Sequence, residues 1–268
     1  MRVLGLEFVA AQIAADVRDL HAGVGLEEAA RRERFAALAG VVRSRGADAI
    51  ALAHHVSDQA ETVLLHLLRG AGQRGMSGIA EWTVRRVPWW EPDTRTGHTD
   101  PIAIWRPFIA EPKDALESYV HGLGLTPIVD PSNDSVEFKR NRIRHEVLPL
   151  LEEISAGSTA AIVRYSQLAA AEDEYLDTVA QAHLDASVDQ EGRLRAEVVA
   201  ELDIALQRRI IRTWLRSGTP TGVDVGQERV DAVRELGLAG QGQSRIQIGS
   251  GWQVVRRAGL LHLERAAE

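Results

Sequence analysis

The chain has 268 residues, enough for two domains of ordinary size, and its 45% hydrophobic and 26% charged residues are the balance of a globular protein. No run of about 18 apolar residues is present, so no membrane-spanning helix is expected, and Glu7 and Asp16 interrupt the start of the chain too early for a signal peptide. The absence of cysteine excludes disulfides, thiolate nucleophiles and Cys-ligated zinc and fits a cytoplasmic protein, while a net charge of −7 argues against indiscriminate nucleic-acid binding.

In chain order, a short β-type run is expected around Phe8 and Val9. A helix follows from about Leu26, where Ala30, Arg34, Ala37 and Leu38 recur at helical spacing, with Gly46 as its C-cap. Residues 49–53 (AIALA) read as a buried parallel strand between two helices, an order that points to an open α/β sheet with ligands at the carboxyl ends of its strands. His54 and His55 lie at that end. The next helix is expected over residues 58–69, with Val63, Leu64, Leu67 and Leu68 as its apolar face and Gly70 as its stop. Residues 70–75 match GxGxxG, but they close a helix instead of linking a strand to one, so a glycine-rich loop is the better reading.

Residues 81–107 suggest a hairpin or surface loop whose last strand is Ala103-Ile104-Trp105, and residues 113–122 suggest a further helix. Residues 127–134 are extended and turn-forming. A basic run, residues 139–145, follows; a second basic group is Arg208 and Arg209 with Arg212 and Arg216, and either is consistent with a solvated face. After Glu153 the composition shifts. A long helix is expected from Ser158, as its cap, to about Ala186, with Ile162, Tyr165, Leu168, Leu176 and Val179 on one side. Helices carrying Leu206, Ile210 and Trp214, and then residues 227–236, precede three strands around 245–248, 252–256 and 260–263. The expected architecture is therefore an α/β domain with a parallel sheet over residues 1–153 and a mainly helical domain over 154–268 ending in a β-hairpin or meander.

Asp58 and Glu61 are three residues apart on one helix and share a face. One interpretation is a capping box with Asp58 as N-cap and Glu61 at N3. The other is a cation site, for a divalent metal together with His54 or for a substrate ammonium, which needs only acceptors. If the strand continued through His54 and His55, only one of them would face the site. Arg31 and Arg34 suit either surface ion pairs or phosphate.

HHVSDQAETVLLHLLRGAGQRGMSGI resembles the second signature block of the tRNA(Ile)-lysidine synthetases, which belong to the PP-loop ATP pyrophosphatases. Glu27 to Phe35 is similar to that family's E-x-x-A-R-x-x-R-[YF] helix, and Arg106-Pro107-Phe108 to its R-P-L segment. Asp130-Pro131-Ser132-Asn133-Asp134 with Phe138 to His145, followed by Leu148 to Leu151, resembles its D-x-S-N…F-x-R-N-R-I-R-H and L-P-x-L block. The similarity covers roughly residues 1–180 well and the rest loosely.

The resemblance implies a partial Rossmann-like PP-loop domain and a tRNA-binding second domain. It implies a ligase that adenylates C2 of the wobble cytidine of an isoleucine tRNA with a CAU anticodon and lets the lysine ε-amine displace AMP. ATP, with magnesium, is the implied cofactor; free lysine and tRNA(Ile) are the implied partners, with a homodimer or a second chain carrying the ATP loop also conceivable. Asp58 and Glu61 would hold the lysine ammonium, His54 and Arg31 would line the ATP and cytidine pocket, and Arg140, Asn141, Arg142 and Arg144 would sit near the active site or the tRNA backbone.

Two departures stand out. The family's S-G-G-x-D-S phosphate loop occurs nowhere in these 268 residues, and Ser57 stands where the family usually has Asp. Without such a loop ATP binding is expected to be weak. A truncated or mis-started reading frame is the favoured explanation; a split enzyme and a non-catalytic tRNA-binding remnant are the others. A tRNA thiolase is disfavoured by the lack of cysteine, and a metal hydrolase built on His54, Asp58 and Glu61 is the remaining enzyme alternative.

Overall fold

The structure is a computed structural model describing residues 6–13, 16–21, 23, 25–85, 101–128, 138–219, 225–238 and 244–266. It comprises two compact units, Met1–Ala170 and Ala171–Glu268.

The first unit contains α1 (Val17–Leu20), α2 (Leu26–Arg45), β1 (Ala49–Ala51), α3 (Val56–Leu68), α4 (Gln73–Met76), β2 (Trp82–Arg85), β3 (Ile102–Trp105), α5 (Lys113–Gly122), α6 (Lys139–Arg142), a π segment (Ile143–Val147), α7 (Leu148–Ile154) and the first part of α8 (Ser158–Ser187). Its sheet has the order β1-β3-β2. β1 runs parallel to β3, with Ala49 opposite Ala103 and Ala51 opposite Trp105; β2 runs antiparallel to β3, with Trp82 opposite Trp105 and Arg85 opposite Ile102. Helix α2 lays Phe35 and Ala39 against Ile50, Ile102 and Ile104. It ends where expected: Gly46 takes φ +61, a left-handed conformation that a Cβ would disfavour, and its N–H donates to Arg43 O at 3.3 Å. Helix α3 packs Ala60 with Ile143, Leu148 and Val163, and Val63 with Met76 and Ala169.

Several local expectations are corrected. Phe8 and Val9 form no strand, and Phe8 is 82% exposed; without a partner an extended run closes no ladder. Helix α3 starts at Val56 with His55 as N-cap, which puts Asp58 at N3 and leaves Glu61 inside the helix, so the Asp58–Glu61 capping box does not form. On the same helix Leu67 and Leu68 face solvent, Leu68 at 75% exposure, because the buried stripe runs through Asp58, Glu61 and Val63. The glycine-rich residues 70–75 connect α3 to α4 with no strand before them. In the first part of α8 the buried positions are Val163, Ser166 and Ala169; of the expected residues Ile162 packs against the core, whereas Tyr165 and Leu168 are exposed. Ser158 does not cap α8: its hydroxyl donates backwards to Leu151 O at 2.6 Å, while the Glu152 carboxylate accepts from Gly157 N and Thr159 N, each at 2.7 Å.

Residues 139–154 form one helical run interrupted by the π segment. Pro149 supplies a reason: in a regular α-helix its ring would collide with the carbonyl of His145, and a wider turn relieves that clash. Of the D-P-S-N-D block, residues 130–134 lie outside the described residues, as does the greater part of the 127–134 stretch read as extended.

The second unit holds the remainder of α8, β4 (Leu194–Arg195), α9 (Ala196–Ala200), α10 (Ile204–Gly218), α11 (Gln227–Leu238), β5 (Arg245–Gly249), β6 (Trp252–Arg257) and β7 (Leu260–Arg265). The last three strands form the expected meander, and β4 adds an edge in the order β4-β7-β6-β5. Its core contains Leu194, Ile210, Ile211, Leu215, Val230, Val233, Ile248, Val254 and Leu261. The Arg208–Arg209 pair is not a free basic patch: Arg209 Nη1 bonds Asp173 at 2.7 Å and Asp177 at 2.6 Å, and Arg208 Nε bonds Asp231 at 2.6 Å. No described helix is long and apolar enough to cross a membrane.

Candidate active site

The site is built where β1 hands over to α3. Leu52 N–H still bonds Trp105 O at 2.8 Å, and the chain then leaves the sheet through residues 53–55. Val56 N–H is fixed by Glu111 O at 3.1 Å. The Asp58 carboxylate reaches back to accept the His55 backbone N–H at 3.0 Å, a favourable placement for a negative charge in the first turn of a helix. His55 Nε2 lies 3.5 Å from the same Asp58 oxygen. Because the strand ends at Ala51, the two histidines are placed by this loop and cap, with no strand alternation through them.

One turn further, Glu61 is fully buried at 0% exposure, and two arginines close over it. Arg140 Nε donates to Glu61 Oε2 at 2.8 Å. Arg144 Nε donates to Glu61 Oε1 at 2.6 Å, while its Nη2 donates to Glu61 Oε2 at 3.0 Å and Asp58 Oδ1 at 3.2 Å. Arg140 also reaches Thr62 Oγ1 at 3.3 Å and Asp58 O at 3.4 Å. Two carboxylates and two guanidinium groups sum to zero charge. Hydrogen bonding to Glu61, with the charges of Glu61 and Asp58, holds the Arg144 guanidinium above its ordinary value against the opposing effect of burial. Arg140 and Arg144 are four residues apart on the run that contains the π segment, so one helical face delivers both.

His54 borders this cluster on its other side. Burial lowers its imidazole below the ordinary value of 6.5; Arg106, Arg140 and Arg34 push the same way, and Asp58 opposes them. His54 Nδ1 is buried without a hydrogen-bond partner. Arg106, which follows β3, is buried at 7% exposure and donates through Nη1 to Ala80 O at 2.8 Å and Thr83 Oγ1 at 3.2 Å. The segment it grips is held a second time by Gln59, whose amide accepts from Ile79 N at 2.6 Å and donates to Ile79 O at 3.2 Å. That clamp explains Gly78, at φ +67: a Cβ there would fall 2.7 Å from Gln59 Oε1.

Of the residues singled out from the sequence, His54, Asp58, Glu61, Arg140 and Arg144 are brought together by these hydrogen bonds and mutual electrostatic effects. Arg31 is exposed on α2, ion-paired with Glu28 at 3.4 Å, and its charge acts on Arg85 and Arg106. Asn141 is buried beside them in sequence, whereas Arg142 points outward at 62% side-chain exposure and pairs with Glu146. Arg85, Gln59 and the buried charge of Arg106 were not identified from sequence; a buried arginine after an apolar strand carries no periodic signal. No group of three or more His, Asp or Glu residues among the described residues could hold a metal ion, and both oxygens of Glu61 are already committed to arginines, which leaves Asp58 as the one carboxylate of the pair with any accessible oxygen. A single carboxylate offers magnesium too few oxygen ligands, so magnesium does not fit this pair as it stands.

Comparison with known proteins bears on what such a site serves. Residues 1–151 match a family model described as a PP-loop domain, and residues 194–262 match one described as a TilS substrate binding domain. The chain is 37% identical over 250 residues to a tRNA(Ile)-lysidine synthase of Nocardia farcinica, covering 91% of this chain and 71% of the relative. It is 36% identical over 241 residues to that of Mycolicibacterium paratuberculosis, covering 89% and 68%. It is 30% identical over 255 residues to that of Geobacillus kaustophilus, covering 92% and 51%.

Proposed function

From the fact that this chain belongs to the tRNA(Ile)-lysidine synthetase family of tRNA-modifying ligases, we propose that it attaches lysine to C2 of the wobble cytidine of an isoleucine tRNA with a CAU anticodon. ATP is converted to AMP and pyrophosphate, which makes the C2 oxygen a leaving group for the lysine ε-amine. The observation that carries this reading is the pair of buried carboxylates, Asp58 and Glu61, beside His54 at the carboxyl end of β1, where open α/β sheets bind ligands.

The two carboxylates divide the work. Asp58 receives the lysine ammonium, since its side chain keeps 12% exposure where that of Glu61 has none, and its oxygens meet the His55 N–H at 3.0 Å, Arg144 at 3.2 Å and Arg140 at 3.6 Å without a bidentate guanidinium closing over them. Glu61, expected from the resemblance to share that task, has both oxygens taken by guanidinium groups and serves by holding Arg140 and Arg144 at the site. His54, kept neutral by its surroundings, lines the nucleotide and cytidine pocket with Arg31. Exposed Arg142 faces the RNA backbone, and the unit containing residues 194–262 grips tRNA chiefly through phosphates.

A second reading, tRNA binding without catalysis, is favoured by one observation: residues 194–262 match a domain described as substrate binding, which needs no chemistry to hold tRNA. The test measures labelled lysine entering tRNA in the presence of ATP, on a form of the protein that carries an S-G-G-x-D-S phosphate loop. Incorporation that disappears in Asp58→Ala supports the ligase; tRNA binding with no incorporation and no calorimetric ATP binding supports the second reading.

A further inference from the structure

The first unit contains positive charge at Arg106 and Arg85 that no described carboxylate pairs with, and Arg31 beside them is paired only with Glu28 on its own helix, at 3.4 Å. Arg106 is buried, its hydrogen bonds go to the neutral acceptors Ala80 O and Thr83 Oγ1, and its Nε is buried without a partner. Glu81, the carboxylate whose own backbone carbonyl accepts Arg106 N–H at 2.9 Å, turns its side chain to the Trp105 indole at 3.4 Å instead. Arg85 and Arg31 act on Arg106, and Arg31 and Arg74 act on Arg85, each adding to desolvation in drawing the guanidinium below its ordinary value.

The fold sets these arginines around one strand pair. Arg85 is opposite Ile102 across the β2–β3 ladder, and Ile102 packs with Phe35. The Arg31 guanidinium carbon sits 5.3 Å from the centroid of that Phe35 ring. Arg106 leaves the far end of β3, with the unpartnered His54 Nδ1 in the neighbouring loop. A buried guanidinium with no counter-charge, surrounded by like charges, is unfavourable unless an anion is supplied. A single carboxylate would leave most of this charge unmatched. The planar guanidinium forks suit the oxygens of phosphate, and several charges suit more than one phosphate oxygen.

We propose that Arg31, Arg85 and Arg106, with His54, form a site for phosphoryl oxyanions, delivered either by a nucleotide polyphosphate or by an RNA backbone. The choice of those two sources rests on the ligase reading; the anion chemistry rests on these residues alone.

Calorimetric titration of the 268-residue chain with tripolyphosphate at low salt tests it, with Arg85→Gln, Arg106→Gln and, as a control remote from these residues, Arg45→Gln. Loss of one charge-assisted hydrogen bond corresponds to roughly tenfold weaker binding, expected in Arg85→Gln and Arg106→Gln and not in Arg45→Gln. Should Arg106→Gln fail to fold, Arg85→Gln and Arg31→Gln, both at exposed positions, carry the test. Displacement of tripolyphosphate by ATP assigns the site to nucleotide, and displacement by a short single-stranded RNA assigns it to backbone; displacement by neither overturns it. So does unchanged affinity in both arginine variants, or no binding at all. Lysine incorporation alongside unchanged anion affinity sinks this proposal and leaves the ligase standing; arginine-dependent anion binding without incorporation does the reverse.

Discussion

Two groups of buried charge lie in the first unit, and they are built on opposite rules. Around Glu61, two carboxylates meet two guanidinium groups at 2.6–3.2 Å and the sum is neutral. Around Arg106, the buried guanidinium meets only neutral acceptors and feels the like charges of the exposed Arg85 and Arg31. A balanced cluster is self-sufficient and stiffens the fold, whereas an unbalanced one gains from a bound counter-charge. A buried ion pair costs desolvation on both sides, so its value lies in what fails when one partner is removed.

The largest expected effect follows from breaking the balanced cluster. Glu61→Ala leaves Arg140 and Arg144 with Asp58 as their one remaining carboxylate and should destabilise the first unit by about 3 kcal/mol, measured by chemical denaturation. A loss under ~1 kcal/mol would show that Arg140 and Arg144 find solvent or other partners easily. Next in size, a double-mutant cycle between Glu61→Gln and Arg144→Gln should give a coupling of about 1–3 kcal/mol, and additivity would dissolve the cluster as a unit.

His54 sharpens the comparison through pH. Its imidazole is held below 6.5 in the folded state, so the native protein resists protonation more than the unfolded chain does. That contribution is fully present above about 6.5 and is lost as pH falls toward the lowered folded value. Wild type should therefore lose stability on acidification below about 6.5 more steeply than His54→Asn; parallel curves would remove the histidine from the account. The smallest effect belongs to Arg142→Gln, where an exposed i,i+4 pair with Glu146 is lost: under about 0.5 kcal/mol of stability.

Much of the fold is visible in the sequence because its signals are local. Gly46 ends α2 by a left-handed cap, and the alternation in residues 245–265 gives the meander. The misses come from competition between local signals and tertiary packing. On α8 the large residues Tyr165 and Leu168 draw the eye, yet the face turned inward is made of Val163, Ser166 and Ala169, small enough for close approach to α3. On α3 the spacing D-x-x-E suggests a capping box at Asp58 and Glu61, whereas the structure forms the box one turn earlier, between His55 and Asp58. At the site, Asp58, Glu61 and His54 were accessible because they adjoin in sequence. The pairing of Glu61 with Arg144, 83 residues away, was not, and neither was the like-charge gathering around Arg106, which exists only once β2, β3 and α2 are assembled.

The measurement that tests the division most directly is a pair of Michaelis constants, taken on the form carrying the phosphate loop. Asp58→Asn should raise KM for lysine by about tenfold or more and leave KM for ATP and tRNA nearly unchanged. Arg85→Gln should do the opposite, raising KM for ATP or tRNA with little effect on lysine. Variants that move the same constants, or neither, would contradict the separation of a lysine-receiving carboxylate from a phosphate-receiving arginine group.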